Sequence, residues 1–137
     1  MTVRNAKSWL SVGWFCAVAP LVIILVLRQL NDFYGSDAKE VWNWFSQFVV
    51  PALTLLGGAW TVSASPTDDK QIDRPMVFWI AVVLSLFYIA LLYVVIGMQT
   101  WSSMPWQEQF KQSALFLGVI QGLVIAVVGK FFIESAR

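Results

Sequence analysis

The chain has 137 residues, 58% of them apolar and only 12% charged, with a formal net charge of +1. A soluble domain carries about 25% charged residues, so this deficit predicts membrane embedding and excludes an ordinary water-exposed fold. The near-neutral balance gives no reason to expect nucleic acid or an acidic substrate as partner.

Histidine is absent, and Cys16 is the single cysteine. The commonest general base and metal ligand is therefore missing. An intrachain disulfide and a thiolate metal cluster are excluded as well. No cofactor and no metal are expected.

The first apolar run predicts a span over 9–28. Arg4 and Lys7 precede it in the manner of a signal peptide. The cleavage-like triplet Ala17-Val18-Ala19 is followed by Pro20 and a continuing apolar stretch, however, so an uncleaved anchor is expected. A helix rises about 1.5 Å per residue, and such a run matches a hydrocarbon layer of about 30 Å. Pro20 leaves the carbonyl of Cys16 without its helical donor, which marks it as a hinge candidate.

The second span is predicted over 42–63. Asp37 and Glu40 approach a capping box, so its helix should begin near Ala38. Trp42, Trp44 and Phe45 then fall at the water–lipid boundary. Gln47 and Thr54 make this the most polar of the spans, and Pro51, a second hinge candidate, frees the carbonyl of Gln47. A polar link follows, in which Asp73 is a plausible cap and Pro75 suits a first helical turn. The third span, 76–98, contains no charge. Seven of the eight tryptophans lie near span ends and read as belt anchors; Trp14 lies deeper and is expected to pack between helices.

The fourth span, 113–133, carries the most informative pattern. Ala114, Gly118, Gly122 and Ala126 recur every fourth residue, and Gln121 sits beside them near mid-span. Small residues let helix backbones approach closely, which favours association where lipid removes the hydrophobic incentive. The strip predicts a packing spine, either inside one protomer or between protomers, with the balance toward self-association. Gln121 needs a polar partner: Gln47, Thr54 or a freed carbonyl within a protomer, or a ring of carboxamides in an oligomer.

Candidate chemistry is scarce. No Asp or Glu lies inside any predicted span, and Ser85 has no activating base in sight, so an enzyme is not expected. The lone intruding charge, Lys130, lies near a span end where its stem can reach the headgroups. Lys and Arg number six in the N-terminus, middle link and tail, against three in the two other connections. That excess predicts both termini in the cytoplasm.

The layout of four spans, both ends inside and short connections resembles several groups of small bacterial membrane proteins. These are the membrane components of phage-defence systems such as Rex and Kiwa, holin-like proteins, and membrane immunity proteins against colicin-like toxins. The likeness is one of layout, and no residue carries over from it. The expectation is a single all-α domain, 1–137, forming an antiparallel four-transmembrane-helix bundle in a bacterial-type inner membrane. It is expected to act as a non-enzymatic, self-associating subunit that senses or alters membrane state, as in phage defence, with a cytoplasmic or membrane protein partner. The middle link, Ser65 to Arg74, and the tail are its expected cytoplasmic contacts. An ion or water pore and a toxin-immunity protein are the alternatives.

Overall fold

A computed structural model describes residues 2–62 and 75–134, except for the side chains of 59–62 and 134. The expected partner-binding link, Ser65 to Arg74, its Asp73 cap and the tail after residue 134 lie outside the described residues. So does the side chain of Trp60, one of the expected belt anchors.

The described chain is helical, with five helices in the order α1 Val3–Leu30, α2 Ala38–Phe48, α3 Val50–Val62, α4 Pro75–Met98 and α5 Trp106–Glu134. Three segments, Val3–Leu30, Pro75–Met98 and Trp106–Ile133, are each long and apolar enough to cross a membrane. Their outer surfaces are oily. Leu86 is 62% exposed, and Leu115, Val119 and Phe87 are similarly bare, as lipid-facing positions would be.

Local chemistry sets the helix ends. The Thr2 hydroxyl accepts from the Asn5 amide at 3.4 Å to cap α1. At the other end Asp32 takes φ +56°; its amide bonds to the Gln29 carbonyl and the Phe33 amide to the Arg28 carbonyl, both at 3.0 Å. This is a Schellman closure with aspartate in the place glycine usually fills. The contact that normally accompanies it is here the Arg28 guanidinium over the Phe33 ring, 5.3 Å from its centroid.

Helix α1 continues through Pro20 without interruption. Helix α2 begins at Ala38 as the sequence suggests, but Asp37 makes no side-chain cap bond. Its carboxylate is engaged elsewhere, accepting from the Ser36 hydroxyl and the Gln107 amide. The second expected span is broken: Val49 separates α2 from α3, and neither piece alone reaches across a bilayer.

Helix α1 packs on α3 and α4, α4 on α5, and α5 on α2 and α3. Arg28 and Ile96, each near its helix's C-terminal end, are bonded, so α1 runs in the same direction as α4. Trp44 and Gln47 of α2 meet Ser113 and Gln121 of α5 in the same order, so α2 runs in the same direction as α5. The core between them holds Leu21, Leu25, Phe48, Tyr88, Leu92 and Leu117. Trp14, at 2% exposure, is buried as expected. Trp44 is not a belt anchor but a core residue: its indole N–H donates to the Ser113 hydroxyl at 3.0 Å, and its ring lies 4.6 Å from that of Phe110. Four residues before Phe48 and so on the same helix face, it is buried with it.

Candidate functional site

The break at Val49 is the most constructed place in the fold. Pro51 has no amide hydrogen for the Gln47 carbonyl, and its ring crowds that carbonyl. The helix yields two residues earlier, at Val49, whose φ is −112°. Two neighbouring carbonyls are served by side chains from other helices instead. Gln121 of α5 donates its Nε2 to the Gln47 carbonyl at 3.0 Å. Tyr88 of α4 donates its hydroxyl to the Phe48 carbonyl at 2.6 Å. The joint thus ties α2, α4 and α5 together through two backbone carbonyls.

Among the residues singled out in the sequence, Gln121 and the Gln47 carbonyl meet. The Gln47 side chain points outward. Thr54 is not Gln121's partner; its hydroxyl turns back to the Val50 carbonyl at 2.8 Å. A threonine one turn along can always bond its own helix, and here that local option wins. At the other hinge candidate, Pro20, the neighbouring Ala17 carbonyl accepts the Tyr93 hydroxyl at 2.7 Å.

The small-residue strip lies elsewhere than a spine inside the protomer would. Ala114 is half-buried, while Gly118, Gly122 and Ala126 are exposed. A Cβ added at Gly118 would lie 3.9 Å from Phe48, and one at Gly122 would meet nothing within 4 Å. Neither glycine is demanded by a close approach inside the chain. The reason is geometric. Every fourth residue advances the strip by about 40° around a helix of 3.6 residues per turn. The packed face of α5 holds Phe110, Ser113, Leu117, Gln121, Val124 and Val128, in a mixture of steps of three and four. The two patterns share a face near Ala114 and then diverge.

A polar cluster where α1 and α4 end carries no motif in the sequence. Arg28 Nη1 donates to the Ile96 carbonyl at 2.7 Å and to Gln99 Oε1 at 2.6 Å. The Tyr34 hydroxyl donates to the same Gln99 oxygen at 3.0 Å. Nearby, the Trp42 indole donates to Gln29 at 2.7 Å, and Tyr34 meets Trp106 edge-on. Burial pushes the Tyr34 hydroxyl above its usual pKa, with Arg28 pulling the other way. The available signal was a lone arginine ending an apolar run, which also fits simple snorkelling.

These contacts make joints and latches, and no group of three or more acidic, Cys or His side chains converges among the described residues. Compared with known proteins, the chain matches no family model, no curated protein and no solved structure.

Proposed function

We propose that the protein is a non-enzymatic, self-associating membrane subunit of four spans, with α2 and α3 acting as one bent span. The observation that carries this reading is the bare outward face of α5. Gly118, Gly122 and Ala126 form a notch on it, beside a ridge of Leu115, Val119 and Leu123, exposed by 78%, 67% and 55%. A notch beside a ridge is self-complementary across a two-fold axis, and small-residue notches favour helix association in lipid. Gln121 is engaged within the protomer, which favours an adhesive role over a ring of carboxamides around a pore.

The test is particle size in lipid nanodiscs or mild detergent. The wild type should exceed one protomer, and Gly118→Leu with Gly122→Leu should reduce it. A monomeric wild type, or an unchanged size in the double variant, overturns the reading.

The proposed setting, which rests on likeness of layout and the Lys and Arg excess, is a bacterial-type inner membrane with both termini inside and a protein partner in a phage-defence pair. Cells expressing the chain with its neighbouring gene should survive phage challenge at least tenfold better than cells lacking either. Equal survival removes that setting without touching self-association.

A further inference from the structure

At one end, α1 and α4 are held together by Arg28 with Ile96 and Gln99, and further in by Tyr93 with Ala17. Their N-terminal halves enclose a half-open groove of about 580 Å³. Its walls include Trp9, Gly13 and Trp14 of α1 and Phe78, Trp79 and Ser85 of α4. Among the described residues, no charged side chain lines it. Beside Gly13 the space is open, and a Cβ there would meet nothing within 4 Å.

Among the described residues, two polar groups at this groove have no hydrogen-bond partner. Trp14 and Ser85 are 2% and 3% exposed, and neither the indole Nε1 nor the serine Oγ makes a hydrogen bond. A buried indole N–H can only donate, and leaving it unpaired in an apolar site is costly. Something that accepts a hydrogen bond would complete the site.

Depth and lining narrow what that is. Trp9 and Trp79 are 72% and 61% exposed, as boundary tryptophans would be. Trp14 lies five residues beyond Trp9, and Ser85 six beyond Trp79, about 8–9 Å deeper along the helices. The ester groups of a phospholipid stay near the boundary, whereas this acceptor has to sit within the hydrocarbon. A carboxylate or phosphate would be strongly disfavoured there without a cation. The aromatic walls suit a flat ring, which stacks or meets them edge-on.

We propose that the groove between α1 and α4 binds an uncharged, lipid-soluble carbonyl compound of the quinone type, its ring carbonyl accepting from Trp14 Nε1 and the Ser85 hydroxyl. The apolar tail would leave through the open side of the groove into lipid. This rests on the membrane placement of α1 and α4 and is independent of self-association.

The test uses the full chain in nanodiscs, with decylubiquinone as probe and decylbenzene as a tailed ring lacking carbonyls. The quinone should be retained saturably, one per protomer, above empty nanodiscs. Trp14→Phe and Ser85→Ala, each removing a hydrogen-bonding group, should weaken retention about tenfold, the effect of one hydrogen bond. Gly13→Leu should fill the groove and abolish retention. Each variant is checked for unchanged helicity and particle size, and Ser85→Ala, the smallest change, stands if Trp14→Phe disturbs folding. Decylbenzene should show no saturable retention. The proposal is overturned by an absence of saturable quinone binding, by binding that Ser85→Ala and Gly13→Leu leave unchanged, or by equal retention of decylbenzene. A co-purifying phospholipid that the quinone cannot displace overturns it too.

Discussion

The side chains that matter most in this fold are those that give a buried polar group its hydrogen bond. Tyr34 is one whose bond has a pH signature. Its hydroxyl donates to Gln99, and burial raises its pKa above the ordinary value of 10.0. Because the folded state resists losing this proton, the unfolded chain ionises first as pH rises. The stabilisation from Tyr34 is therefore fully present below pH 10 and is lost as pH climbs through the folded-state value. Thermal unfolding in detergent should show wild type losing its advantage over Tyr34→Phe above pH 10, while tyrosinate absorbance titrates late. A constant difference from pH 8 to 12 would contradict the assignment.

At the scale of the element, the interrupted segment α2–α3 shows how side chains of other helices accommodate a proline. Pro51 withdraws a donor, the chain turns at Val49, and Gln121 and Tyr88 take over the exposed carbonyls. The coupling is measurable. Gln121→Leu should cost about 0.6–1.7 kcal/mol of stability in bicelles, the range for interhelical hydrogen bonds in membrane proteins. In a Pro51→Ala background the restored amide can serve the Gln47 carbonyl, so the same substitution should cost markedly less. Additive costs in this double-mutant cycle would mean that the two residues do not share that carbonyl.

For the whole molecule, the outstanding prediction is sidedness. The connection between α1 and α2 and the N-terminal end of α1 lie at opposite ends of α1 and are expected on opposite sides of the membrane. With Cys16, itself exposed, replaced by serine, a single Ser36→Cys should react with an impermeant maleimide in intact cells. Asn5→Cys should react only after the inner membrane is opened. The reverse pattern would invert the orientation drawn from the Lys and Arg excess.

The sequence by itself determined the all-helical character, the three long apolar helices and the starts of α2 and α4. These depend on composition, run length, prolines and local caps, each readable within a few residues. It also picked out Gln121 and the carbonyl freed by Pro51, because a buried amide and a missing donor are both visible in one dimension. Only the tertiary structure decided which face of α5 is packed. A period-four strip and a three-and-four core pattern overlap in sequence and part company only when wound on a cylinder. Tertiary contacts likewise turned Trp44 inward, joined Arg28 to Gln99 across 71 residues, and left Trp14 and Ser85 beside the same groove. Such meetings depend on where separate helices lie against one another, and no local spacing encodes that.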